Sequence, residues 1–231
     1  MNTHKTAARG VGALFLIATV AYMLGSGLLQ SVLDGPDALL HAYPQRAQVV
    51  LGVLLEYLDA AAVAAIGMLL FPILRRHSES IALGYAATRI IECVLLIVAG
   101  IGSLSLITLS QGYGQAGAAS VQAVAAVVTA QSGLAFQVAM IVLGLGSLPF
   151  CYLLYRARLI PRALAALGFV GYAALFAGGL AELAGLNLQM LHYAPGGLFE
   201  LILPIWLIVK GFSPSASVAD SAHGGLSPSR A

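Results

Sequence analysis

Six apolar stretches dominate the chain: Val11–Val32, Ala47–Leu74, Ile81–Leu109, Ser132–Tyr155, Ala163–Leu183 and Tyr193–Val209. Crossing the hydrocarbon core of a bilayer takes about 20 apolar residues. Inside lipid every backbone N–H and C=O must be satisfied internally, which leaves only helices or closed barrels. The short alternating strands of a barrel are missing, so the pattern predicts an all-α, polytopic bundle of six transmembrane helices. Charged residues make up 9% of the chain, against about a quarter in a soluble domain. Residues 1–212 are expected to form the membrane domain, with a disordered cytoplasmic tail over 213–231 (SPSASVADSAHGGLSPSRA), a Ser/Pro/Gly/Ala segment without a packable pattern.

Lys5 and Arg9 before the first stretch give the N-terminus the look of a signal peptide, but the apolar run continues to about Val32 and reads as a first membrane helix. Arg75, Arg76 and His77 fall between the second and third stretches, Arg156, Arg158 and Arg162 between the fourth and fifth, and Lys210 after the sixth. The alternate loops hold Asp34, Asp37 and, among their Lys and Arg residues, only Arg46. The positive-inside rule then places both termini in the cytoplasm. Ser110–Gln131, rich in Gly, Ala and Gln, is expected as an outer loop that ends in a short amphipathic helix. Gly144, Gly146, Gly168, Gly171, Ala174 and Gly178 have the spacing that lets membrane helices approach closely.

Ionisable residues interrupt the apolar stretches near their middles. Glu56 lies ten residues past Arg46, roughly 15 Å below the boundary at about 1.5 Å per residue. Glu200 lies ten residues before Lys210, and Arg89 and Glu92 fall near the same depth. Tyr85, Arg89 and Glu92 are spaced i, i+4, i+7 and share one helix face, while Glu56 and Asp59 are one turn apart. A charge at bilayer depth is costly unless partnered. Arg89 stays protonated and is expected to pair with one or two carboxylates. The others cannot all remain ionised at low cost. Glu56, Asp59, Tyr85, Arg89, Glu92 and Glu200 are therefore the expected ligand- or proton-binding residues; the competing reading is polar glue that fixes helix register. Glu182 falls near the outer surface, outside this set. His192, Tyr193, Trp206 and Tyr152 read as interfacial anchors. Pro72, Pro161 and Pro204 are expected at helix ends or a kink, and Asn187 and Gln189 in a short outer turn.

Several chemistries are excluded. Lys5 and Lys210 are the only lysines and both flank the membrane, so no Schiff base forms inside the bundle. None of the six stretches carries a histidine in its interior, which removes the usual haem and zinc ligands. A carboxylate-only metal site is opposed by Arg89 in its midst. Ser103 and Ser105 have no accompanying base. P-loops and dinucleotide fingerprints are absent, and the scattered basic residues suit membrane edges rather than nucleic acid. Cys93 and Cys151 read as separate buried thiols. No catalytic residue, metal or cofactor is expected.

LLEYLDA at 54–60, LLFPILRR at 69–76, ALGYAATRIIE at 82–92, LLYRARLIPRALAALG at 153–168 and PGGLFELILPIWLIVKGF at 195–212 together resemble a bacterial multi-pass membrane family, domain of unknown function 4386. The GYxxxRxxE and FExxxxxWLIxKGF blocks carry most of the resemblance, which spans roughly residues 8–212. It implies a six-helix integral protein of a bacterial inner membrane and transfers no activity. The same blocks contain Glu56, Arg89, Glu92 and Glu200.

The leading expectation is a protein that binds or moves a small solute or proton at the charged layer, surrounded by lipid and assembled as a homodimer if six helices do not suffice. A membrane sensor or accessory scaffold without a substrate is the first alternative. An intramembrane enzyme acting on lipid, with a carboxylate as general base, is the second.

Overall fold

The structure, a computed structural model, describes residues 2–35, 37–113, 118–188 and 190–213. Gln189 and residues 214–231 of the expected tail lie outside the described residues. Among the described residues seven helices follow in order: α1 Asn2–Leu33, α2 Ala38–His41, α3 Arg46–Leu74, α4 Glu79–Gly112, α5 Ala118–Arg156, α6 Arg162–Leu183 and α7 Ala194–Val209. Five of them are long and apolar enough to cross a membrane, and α7 is a shorter apolar helix of 16 residues. The protein is an all-α, polytopic helical membrane bundle. The expected loop over Ser110–Gln131 is mostly helix: α4 continues to Gly112 and α5 begins at Ala118. The AASVQAVAAVV run lacks a helix breaker, and its Val121, Ala125 and Val128 pack beside Leu39 and Leu106.

The five long helices and α7, six in all, form a closed ring. Each packs on its neighbour in the chain, with α3 following α1, and α7 returns to pack on α1. Ser78 starts α4 by accepting a hydrogen bond from the Ile81 N–H. At the opposite end the Tyr43 N–H donates to Ser110 Oγ, and that hydroxyl donates to the Leu39 carbonyl, tying the α1–α3 connection to α4. The outer surface is what lipid requires: Leu54, Leu58, Leu83, Ile91 and Ile205 are exposed.

Van der Waals contact drives helix association where lipid is as apolar as leucine. A glycine accordingly sits at every seam of the ring. Gly25 and Gly52 face each other between α1 and α3, Gly67 meets Arg89 between α3 and α4, and Gly146 meets Thr88 between α4 and α5. Gly144 takes Phe176 of α6, Gly171 takes Gly196 of α7, and Gly12 takes Pro204 where the ring closes.

The core is uneven along the membrane axis. At the end bearing Arg75, Arg76, Arg156 and Arg162, one continuous apolar cluster draws on all six ring helices, from Ala8 and Val11 through Leu70, Leu74, Leu154 and Ala165 to Leu203 and Leu207. Toward the other end the core divides into smaller groups. Leu29, Val32, Val49 and Val53 hold α1 to α3, and Ala60, Leu96 and Ala139 join α3, α4 and α5. The continuous packing therefore belongs to the basic end.

A Cβ at Gly171 would lie 2.7 Å from backbone atoms of Gly196, which cannot swing aside, whereas one at Gly84 meets nothing within 4 Å. Gly171→Ala is expected to cost about 1–3 kcal/mol. Gly84→Ala should be neutral or slightly stabilising, up to about 1 kcal/mol. Thermal unfolding of both variants in detergent checks the contrast.

Candidate functional site

The charged layer lies at the centre of the ring, where the apolar plug ends. Arg89 and Glu92 project from α4 one turn apart, both 2% exposed. Arg89 Nη1 approaches Glu92 Oε2 at 3.0 Å. The approach is off the N–H direction, so the two atoms form an ion pair without a hydrogen bond, and Arg89 Nε also lacks an acceptor. Across the ring the guanidinium lies 5.9 Å from the Phe15 ring of α1, and equally far from the Tyr85 ring on its own helix. Tyr85 stacks on Phe150 of α5 at 4.3 Å, and its hydroxyl is buried without a partner.

The remaining carboxylates arrive from α3 and α7. Asp59 is 8% exposed and lies within electrostatic reach of Arg89, Glu200 and Glu56. Glu92 in turn senses Arg89, Glu200 and Asp59. Glu200 accepts a hydrogen bond of 2.8 Å from the Tyr172 hydroxyl of α6, and Tyr172 is held edge-on against Phe199. Pro204, four residues further along α7, has no N–H to offer the Glu200 carbonyl. Glu56 sits at the edge of the group: it is coupled to Asp59 and to Tyr22 of α1, and its stem packs where a Cβ at Gly25 would fall, 3.1 Å away. Among the described residues no side chain makes a hydrogen bond or ion pair with Glu56 or Asp59.

Asp59, Tyr85, Arg89, Glu92 and Glu200 are thus brought together, with Glu56 adjoining. Sequence reasoning missed Tyr172, although its GYAA tetrapeptide at 171–174 repeats that around Tyr85 at 84–87. It also missed Phe15, and the Tyr22–Phe136 stack, whose parallel rings lie 5.8 Å apart between α1 and α5. Two expected anchors face inward instead. Trp206 packs against the apolar plug with its indole N–H buried and unpartnered. His192 is buried beneath Gly178, 3.8 Å from Glu182, which also meets Gln137. Both were assigned to the interface because the sequence places them near helix ends. Tyr152 is exposed, as expected.

Among the described residues no group of three His, Cys, Asp or Glu side chains is placed to hold a metal ion. At the basic end a groove of about 390 Å³ is lined by His77, Ser78, Tyr152 and Arg156. Burial and then the charge of Arg76 keep the His77 imidazole below its usual range, so arginine supplies that rim's charge.

These features define a polytopic helical membrane protein with an ionisable layer inside its ring. The family model for a domain of unknown function, DUF4386, matches residues 11–211, and the chain belongs to that family. No curated protein and no solved structure matches the chain.

Removing one member of a buried ion pair strands the other. Arg89→Met is expected to cost about 3–5 kcal/mol, and the double replacement Arg89→Met with Glu92→Met substantially less. Tyr172→Phe should cost about 1 kcal/mol through its lost hydrogen bond. Unfolding in mixed micelles measures all three.

Proposed function

We propose that this membrane protein binds, and exchanges with the loop-rich end, a proton or small solute at Glu56, Asp59, Tyr85, Arg89, Glu92 and Glu200. One observation carries the reading. Arg89 and Glu92 belong to the same helix, three residues apart, so their pairing ties no two helices together. Polar glue would cross a seam, as Tyr172 to Glu200 does.

Charge balance supports the same conclusion. Three carboxyl groups, those of Asp59, Glu92 and Glu200, lie within electrostatic reach of one guanidinium, with Glu56 adjoining as a fourth, and arginine does not give up its proton. Fully ionised, the layer would hold a net charge of about −3 at a depth where one uncompensated charge already costs several kcal/mol. Protons or a ligand must neutralise it. The continuous plug at the basic end favours access from the other side, where Tyr22, Glu56 and Glu200 are each only partly buried. We further propose that the basic end faces the cytoplasm of a bacterial cell, following the distribution of arginine and lysine.

Infrared spectroscopy of the purified protein tests the reading. Protonated carboxyl absorption is expected to fall reversibly as pH is raised, with part of that change missing in Asp59→Asn and part in Glu200→Gln. A carboxyl signal that ignores pH, or that both variants leave unaltered, contradicts it.

A further inference from the structure

Resting on that reading, we infer that the layer's ligand is a small organic cation, held against Glu56 and Asp59 beside the Tyr22–Phe136 stack. The charge excess calls for a positive ligand, and the carboxylates that lack a partner are on α3. Asp59 is more than nine-tenths buried with no hydrogen-bond or ion-pair partner among the described residues. The Tyr85 hydroxyl, also fully buried, is unpartnered on the same layer.

The surroundings distinguish an organic cation from a metal ion. A hard cation takes six to eight oxygen ligands. Here Tyr172 already occupies one Glu200 oxygen, and the groups within electrostatic reach of Glu56 or Asp59 include Tyr22, Tyr57 and Cys93, with Phe136 stacked on Tyr22. An alkylated ammonium has a diffuse charge and an apolar body, and it gains from ring faces as well as carboxylates. Arg89 uses this mode already, resting between the rings of Phe15 and Tyr85.

The stack also fits an entry point. Tyr22 and Phe136 belong to α1 and α5, which are not neighbours in the ring. Parting the rings therefore opens no helix seam. The Tyr22 hydroxyl lies within electrostatic reach of Glu56 and Asp59, so a cation resting against the stack has both carboxylates beside it.

Equilibrium binding of tetraethylammonium and tetraphenylphosphonium to the detergent-purified full chain tests the inference. Sodium and the anion tetraphenylborate serve as comparisons, and a pH dye follows released protons. Saturable binding of the organic cations with proton release is expected, weakened at least tenfold in Asp59→Asn and in Tyr22→Leu. Both variants are first confirmed as monodisperse and cooperatively melting. Phe136→Leu, which removes one ring and no polar group, provides a second route if Tyr22→Leu does not fold. Equal binding of tetraphenylborate means simple partitioning into apolar protein and overturns the inference. Absent cation binding with a pH-dependent carboxyl absorption overturns the inference and leaves the proton reading standing. If both are absent, both fall.

Discussion

A guanidinium that cannot lose its charge sits in the middle of a membrane protein, and much of the architecture follows from accommodating it. Arg89 is 2% exposed. Its charge is offset by Glu92 on the same helix, by the carboxyls of Asp59 and Glu200 on two others, and by the faces of Phe15 and Tyr85. No single pair of packed helices supplies all of these. A ring does, because it turns one face of every helix toward a common axis. Closing the ring tightly enough needs glycine at the seams. Gly67 is the clearest case, since the backbone of α3 there comes within van der Waals reach of the Arg89 stem.

The two ends of the ring do different work. On the basic side, side chains from all six ring helices interlock with residues of the α5–α6 turn, Leu159 and Ile160, and the Ser213 N–H donates to the Leu159 carbonyl. Dense packing of this kind excludes water and fixes the depth of the layer from below. Beyond the layer the apolar contacts fall into smaller groups, and the Tyr22–Phe136 stack reaches across the ring from α1 to α5. A polar cluster of Glu182, His192 and Gln137 joins α5, α6 and the α6–α7 connection near that stack. Dense packing on one side of the ionisable layer is what the proposed binding and exchange would require.

Much of this was legible in the sequence. Apolar runs longer than about 17 residues and alternating basic loops specify a helical bundle with little ambiguity, because the bilayer admits so few alternatives. Charged residues inside those runs stand out for the same reason, so Asp59, Arg89, Glu92 and Glu200 could be selected by depth and phase. Aromatic residues could not. In a membrane helix both the lipid face and the core face are apolar, so periodicity no longer separates Phe15 from a lipid-facing neighbour such as Ile17. The helical extension over 118–131 was obscured by the glycines that precede it at 112, 114 and 117 and by its own Ala, Ser and Gln content, which reads as a loop until Leu39 and Leu106 provide something to pack against. His192 was misplaced because proximity to a helix end says nothing about which way the side chain turns; Gly178, on another helix, makes the room for it.

The central claim is that carboxyl groups inside the ring exchange protons or ligand with one side of the membrane. Labelling of the folded protein with a hydrophobic carbodiimide, which attacks protonated carboxyls in apolar surroundings, tests it most directly when adduct sites are mapped by mass spectrometry. Adducts on Asp59 or Glu200 that decline as pH is raised are the predicted result. Adducts confined to Glu79, Asp34 and Asp37, with the ring's interior untouched at every pH, would contradict it.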